Sequence, residues 1–278
     1  MIIVANQPVE LVRSDWSAFA WHWLEKLQNS STVYTYQSMD HLHFEWTLRE
    51  SLVDAAEALD RSGVSFASFE KSKCNPAYWD RNAQGGFELK SDVTPAEGIR
   101  DIWKNGHLYA FECATATVIV LYGGVLNSIR EDDFNSLFGN LLLYDWHYDS
   151  DLRLTEKNGS DSALPGDVLY FKNPDVSPKT PEWQGENTIM LREDSYYGHG
   201  IGIASGEEII RSLNQNRIPG STVSAYLMDT VIYPDFLYLS RYAKNNNANS
   251  QTASSTPVLP GQLYVRIGGS RYLRTYTA

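Results

Sequence analysis

The chain is poor in cysteine, with two residues in 278, Cys74 and Cys113. So small a number excludes a disulfide framework. Metal-ligand spacing is missing too. The six histidines, at positions 22, 41, 43, 107, 147 and 199, form neither an HExxH pair nor a Cys-His knuckle, so neither a metal nor a cofactor is expected. His41 and His43 lie two apart near a helix start, where a surface location is the simpler reading. No Walker loop or GxGxxG occurs, and Tyr122-Gly-Gly-Val is not a phosphate cradle. No apolar run approaches the roughly 18 residues of a membrane span. The opening Met-Ile-Ile-Val-Ala-Asn has neither the basic start nor the long apolar stretch of a secretion signal. Positive charge is scarce as well: the net charge of −11 argues against a nucleic-acid-binding surface.

Hydrophobic residues make up 42% and aromatics 13%, enough for a sizeable core in one large domain or two small ones. Eight Trp and seventeen Tyr exceed what a minimal core needs and point to apolar grooves as well. The periodicity predicts helices over 15–29 and 42–62, the second with Phe44, Leu48, Leu52, Ala56 and Leu59 on one stripe and Gly63 as its stop. Val64 to Phe69 alternates like a short strand. Thr94-Pro-Ala-Glu97 is a capping box with proline at N1, opening a helix to about Lys104. A further helix runs from Cys113 to about Ile129, and a shorter acidic one follows over 131–138.

Past residue 140 strands take over. They are expected at 141–146, 168–171, 187–191 and 199–204, with a turn over Arg192 to Ser195, polar loops over 149–165 and 173–181, and a helix over 206–213. Helices first and strands after argue for an α+β fold. Residues 244–256 are a polar, low-complexity linker. Beyond it, residues 257–278 form a C-terminal tail in which alternation on both sides of Gly268-Gly269 predicts a β-hairpin. From Lys244 onward the charges are Lys244 in the linker and Arg266, Arg271 and Arg274 in the tail, with no acid. The preceding body holds 19 of the 23 basic residues and all 34 acidic ones, a net −15. A basic tail of this kind can fold back on the acidic body or dock on another copy.

Cys113 is the candidate nucleophile. It follows Glu112 and opens an uncharged stretch of small and apolar residues long enough for a buried helix. A cysteine there faces unpaired N–H groups and the positive end of the macrodipole, which favours thiolate. Taken alone, a cysteine in such a stretch is more often inert packing. If 187–191 and 199–204 pair about a turn near Arg192-Glu193, Glu186 faces His199 across the ladder. An acid and an imidazole then stand together at one end of a sheet against which the Cys113 helix can pack. Each taken singly has a plainer reading, His199 as a satisfied histidine in a tight Gly-His-Gly strand and Glu186 as a solvated strand end.

Five segments carry a resemblance. Tyr109-Ala-Phe-Glu-Cys-Ala-Thr-Ala116, Leu143-Tyr-Asp-Trp-His-Tyr148, Gly166-Asp-Val-Leu-Tyr-Phe-Lys-Asn-Pro174, Trp183-Gln-Gly-Glu-Asn187 and Gly198-His-Gly-Ile-Gly202 are similar to the Bacillus spore-coat transglutaminases, over roughly residues 1–243. The resemblance implies a papain-like core of the NlpC/P60 type, with helices packed on an antiparallel sheet and the nucleophile at a helix N-terminus. It makes residues 1–243 the catalytic domain and leaves the tail uncovered. It implies that Cys113 attacks a protein glutamine, that Glu186 is a catalytic carboxylate with Glu112 a possible second, that His199 supports them, and that no calcium is needed. Implied partners are spore-coat proteins bearing accessible Gln and Lys. The implied location is the spore coat, the enzyme being made in the mother-cell cytoplasm without a signal peptide.

The chemistry sets its own demands. A Glu can take a thiol's proton only if its pKa is raised by burial or a like charge, whereas His199 starts nearly matched. The thioester must be kept from water, so aromatic walls are expected. Trp146, Trp183 and Phe66, with Asn187 beside Glu186, are the candidate substrate-binding residues. N–H groups at the Cys113 helix start are the expected oxyanion hole. The rival readings are a cell-wall peptidase on the same fold and a non-catalytic coat protein.

Overall fold

The computed structural model describes residues 1–244 and, beyond them, strands Gln262–Ile267 and Ser270–Thr275. It divides into two compact units, Met1–Ala243 and Lys244–Ala278. In the second unit the two strands pair antiparallel, Ile267 opposite Ser270, as the expected hairpin. The linker expected over 244–256 lies, from residue 245 on, outside the described residues.

Helix α1 (Ala18–Asn29) begins three residues later than the pattern suggested, because Ser17 caps it and Arg13–Asp15 forms a separate 3-10 turn. Helix α2 (Met39–Arg61) begins three residues earlier, where the Ser38 side chain accepts from the His41 N–H. His43 on its first turns stacks on Trp16 at 3.9 Å. The α2 stripe buries Phe44, Leu48, Leu52, Ala56 and Leu59, and each of the larger side chains contributes about 2 kcal/mol. Helix α3 (Pro95–Lys104) starts at the Thr94/Glu97 capping box.

Helix α4 (Cys113–Ser128) is apolar on all sides and accordingly buried on all sides, packed along α2 and on the strand Gly185–Arg192. The Tyr122-Gly-Gly run lies inside it; a Cβ on Gly124 would stand 2.5 Å from the Leu52 side chain, so the glycine permits close approach of α2. The short helices α5 (Glu131–Leu137), α6 (Gly206–Asn214) and α7 (Phe236–Leu239) complete the set.

The main sheet has six strands, in the order Gly202–Ala204, Ser195–Gly198, Gly185–Arg192, Val168–Lys172, Tyr226–Tyr233 and Thr155–Asn158, with every neighbouring pair antiparallel. The chain thus has the α+β fold expected, with Cys113 opening a helix that packs on an antiparallel sheet.

Several strand expectations change. The strand at 141–146 shrinks to Leu142–Leu143, because Asp145 adopts a left-handed backbone (φ 50°) that extended pairing cannot continue. The strand at 64–69 is only Ser65–Phe66, parallel to Ala110–Phe111. The stretch 149–165 is not all loop: Thr155–Asn158 is an edge strand, and its polar residues fit that exposed position. The expected strand 199–204 is broken, since Ser195–Gly198 is already paired and His199 to Ile201 is a turn.

Arg49 fixes the sheet to α2. Its guanidinium is buried and bonds Glu45 at 2.8 Å, Asp167 at 2.7 Å and the Pro165 carbonyl at 2.8 Å. Asp167 is fully buried and immediately precedes the strand Val168–Lys172.

Candidate active site

Cys113 is the first residue of α4 and Glu112 is its N-cap. The two Glu112 oxygens accept from the Ala114 and Thr115 N–H groups, each at 2.6 Å. This changes two expectations. The Ala114 and Thr115 N–H groups are occupied by a carboxylate, which narrows the helix-start donors for an oxyanion to the Cys113 N–H. The helix start also does not make Cys113 a resting thiolate. Burial first, then the charges of Glu186 and Glu112, push its thiol up to about 12, against donation from the Asn187 backbone and side chain. The Asn187 Nδ2 lies 3.6 Å from the sulfur. Burial raises Glu112 as well, opposed by its bonds to Thr115 and Ala114.

Glu186 stands on the strand Gly185–Arg192 and is 3% exposed. Burial, with the Glu112 charge adding to it, pushes its carboxyl up to about 8 against donation from the Gly200 and His199 N–H groups. The expected register was off by one. The tight turn is Glu193-Asp194, with Asp194 left-handed (φ 46°), and an irregularity between Met190 and Arg192 resets the count. Thr188 pairs with Gly198 and Ile189 with Tyr197. Continued, that register brings Gly200 opposite Glu186 in place of His199, and the Gly200 N–H lies 3.3 Å from its Oε1.

The His199 ring has other partners. Its Nδ1 is 2.9 Å from the Tyr197 hydroxyl, its Nε2 is 3.3 Å from the Ser65 carbonyl, and the ring stacks on Phe111 at 4.9 Å. Burial lowers it to about 4, despite the raising effect of backbone partners at Ser65 and Phe111.

A cleft of about 360 Å³ opens over Cys113. Phe66, Phe69 and Tyr170 supply aromatic wall, Asn187 lines it, and Glu112, Asp145 and Glu182 are its charged residues. Trp146 borders a neighbouring cleft of about 300 Å³ that shares Tyr170 and Asn187 with the first. Trp183 is placed differently from expectation: it packs against the cluster of Phe171, Ile209, Leu213 and Ala225, while its neighbours Pro181, Glu182, Gln184 and Gly185 line the cleft. Its position in a 3-10 turn, Pro181–Trp183, sends neighbouring side chains in different directions.

Tyr170 was missed in the sequence. It lines both clefts, and its hydroxyl is pushed up to about 12 by burial, then by Cys113 and Glu186. It reads simply as one residue of an apolar strand. Tyr197 falls between the expected turn at 192–195 and the expected strand at 199–204, so no expected element points to it. Among the described residues no group of three or more His, Cys, Asp or Glu is placed to hold a metal ion, and no helix is long and apolar enough to cross a membrane.

A sulfur opening a buried helix, held by an amide and acted on by two carboxyls with raised pKa, is an arrangement that can carry cysteine acyl transfer in an α+β fold. Comparison with known proteins specifies the class. The family model for protein-glutamine gamma-glutamyltransferase matches residues 1–243. A protein of that description from Bacillus cereus (strain B4264) is 45% identical over 245 residues, 88% of each chain. One from Bacillus anthracis (strain CDC 684 / NRRL 3495) is 46% identical over 220 residues, 79% of each. A solved transglutaminase from Geobacillus stearothermophilus, without its C-terminal extension, aligns at TM-score 0.72 and 50% identity, over 75% of this chain and 99% of that one. The chain belongs to the protein-glutamine gamma-glutamyltransferase family and is a transglutaminase.

Proposed function

We propose that this transglutaminase joins protein glutamine to protein lysine through a thioester on Cys113, with Glu186 as the proton acceptor. The observation that carries the reading is a sulfur that lines a cleft and is held by Asn187 at 3.6 Å, with the buried Glu186 carboxyl, its pKa raised, acting on it.

The Sγ–H proton passes to ionised Glu186 as Sγ bonds to the glutamine Cδ. The tetrahedral intermediate collapses with cleavage of the C–N bond, and the nitrogen leaves as ammonia with the proton returned by Glu186. A lysine amine then adds to the thioester carbon, a carboxylate takes its proton, and the sulfur departs to be reprotonated. Burial raises both the acid and the base, so the gap between about 8 and about 12 remains about four pH units. A fully formed thiolate would cost about 5 kcal/mol at that gap, so proton transfer accompanies attack and does not precede it. Asn187 is the donor nearest the sulfur and the candidate to stabilise the oxyanion, since Glu112 holds the Ala114 and Thr115 N–H groups.

Only about 1 in 2,500 lysines is free amine at pH 7, so the thioester must be kept from water while it waits. Phe66 and Tyr170 at the first cleft and Trp146 at the second supply that shield and a bed for the lysine stem. The reaction so written asks for no calcium. Residues 1–243 are the catalytic domain, and the basic tail recruits or anchors. The resemblance to spore-coat enzymes makes coat proteins with accessible Gln and Lys the substrates, and the spore coat the place of action after synthesis in the mother-cell cytoplasm.

A small glutamine donor and a primary amine test the reaction. Amine incorporation matched by ammonia release, in excess chelator and lost in Cys113→Ala, is expected. Hydrolysis without incorporation would favour the peptidase reading, and unchanged cross-linking by Cys113→Ala would favour a structural coat role.

A further inference from the structure

Gly198, the last residue of its strand, and His199 and Gly200 of the turn that follows stand beside Glu186. Here the backbone, and not a side chain, meets the carboxyl: the His199 and Gly200 N–H groups both donate to it. Gly198 leaves no room for anything larger, whereas a Cβ on Gly200 would be in ordinary contact with the carboxyl. A Cβ on Gly198 would stand 2.8 Å from the Glu186 Cγ and 3.0 Å from its Oε1, and one on Gly200 would stand 3.4 Å from Oε2.

The imidazole between these glycines is fully engaged elsewhere. The Ser65 carbonyl can only accept, so Nε2 carries the ring proton and Nδ1 accepts from the Tyr197 O–H. With Phe111 stacked on its face, the ring is bonded at both nitrogens, neither bond being to Cys113 or Glu186. A ring used this way fixes the turn. Its own backbone N–H is then delivered to the carboxyl.

We propose that Gly198-His199-Gly200 is a backbone cradle that positions the Glu186 carboxyl, with His199 as a positioning residue clamped by Tyr197 and Ser65 and not a carrier of protons. The proposal rests on the reading of Glu186 as the proton acceptor.

N–H donors favour the ionised carboxyl, so loosening the cradle moves the ionisation of Glu186 to higher pH. His199→Ala and Tyr197→Phe are therefore expected to shift the acid limb of the kcat/KM–pH profile upward by half a unit or more. The kcat at pH 7 should fall several-fold, with KM for the glutamine donor within about twofold. Gly198→Ala tests the steric half of the idea. Its loss of Tm should be several degrees in the parent and several-fold smaller in a Glu186→Ala background, where the Cγ that the new Cβ would meet is gone. Gly139→Ala, whose Cβ would come no nearer than 3.8 Å to the Asn135 carbonyl, is the control for folding and activity. If His199 carried protons, its alanine variant would abolish activity at every pH and remove the limb instead of displacing it. An unshifted limb, or equal Gly198→Ala losses in both backgrounds, would also overturn the cradle. Failure of the parent reading appears separately, as activity that survives Cys113→Ala or Glu186→Gln.

Discussion

Asn187 donates to the Cys113 sulfur from its side-chain amide at 3.6 Å and from its backbone N–H, while its neighbour on the same strand, Glu186, is the charge that raises that sulfur's pKa most. One strand therefore supplies both the holder of the nucleophile and the acid beside it. The spacing between them depends on two consecutive residues, not on the docking of separate elements.

This arrangement sets the pH dependence. On the proposed reaction Glu186 must be ionised to accept the proton, and burial holds it near 8. The kcat/KM should rise with pH and level off above about 8. At pH 6, two units lower, about 1% of the carboxyl is ionised, so the rate should be roughly a hundredfold below the plateau. A stopped-point assay of amine incorporation from pH 6 to 9 checks this, and a profile flat over that range contradicts it.

The same carboxyl weakens the fold. Its pKa is raised from 4.5 to about 8, so the stability it allows is fully present below about pH 4.5 and is lost as pH rises through about 8. The loss is about 1.4 kcal/mol for each pH unit in that window. Glu186→Gln should raise Tm, with little gain at pH 5 and a gain of several degrees at pH 8, as read by calorimetry at both pH values.

Glu112 divides its influence between helix and sulfur. Glu112→Gln removes a negative charge that raises the thiol and keeps only one oxygen to cap α4. Alkylation of Cys113 by iodoacetamide at pH 8 should be several-fold faster, and the protein should lose about 1 kcal/mol of stability. Alkylation at the parent rate would remove the electrostatic role assigned to this carboxylate.

Every charged residue of the first cleft is acidic. Asp145→Asn and Glu182→Gln should each raise KM for a cationic amine acceptor by about two- to fivefold at low salt, and the difference should shrink near 0.5 M salt as screening sets in. The ratio to hydroxylamine, which is uncharged at neutral pH, isolates the charge effect. Equal changes for both nucleophiles would indicate displaced walls instead.

Much of the helical half was legible because its signals are local. Thr94/Glu97 announces its helix through reciprocal hydrogen bonds, and the uniform apolarity after Cys113 announces a helix with no solvent face. The strands were harder. Tyr226–Tyr233 pairs with Val168–Lys172 from more than fifty residues away and was not anticipated, nor was the small sheet of Ile2–Val4, Gln7–Pro8 and Tyr34–Tyr36. At the site, the motifs brought Cys113, Glu186, Asn187 and Phe66 to notice, but the details came from geometry. A single bulge decided whether Glu186 meets a histidine ring or a glycine N–H. The protonation of the sulfur depends on burial first and then on the Glu186 and Glu112 charges, Glu112 folding back over the helix start, which helix polarity alone does not reveal.

That fold-back has a bearing on durability. Peroxide oxidises thiolates far faster than thiols, by way of the sulfenic acid. Buried, with the Glu186 charge acting on it and Glu112 occupying the positive end of α4, the sulfur rests in its less reactive form. An enzyme built this way can rest in an oxidising medium for long periods and still hold an unspoiled nucleophile when a substrate arrives.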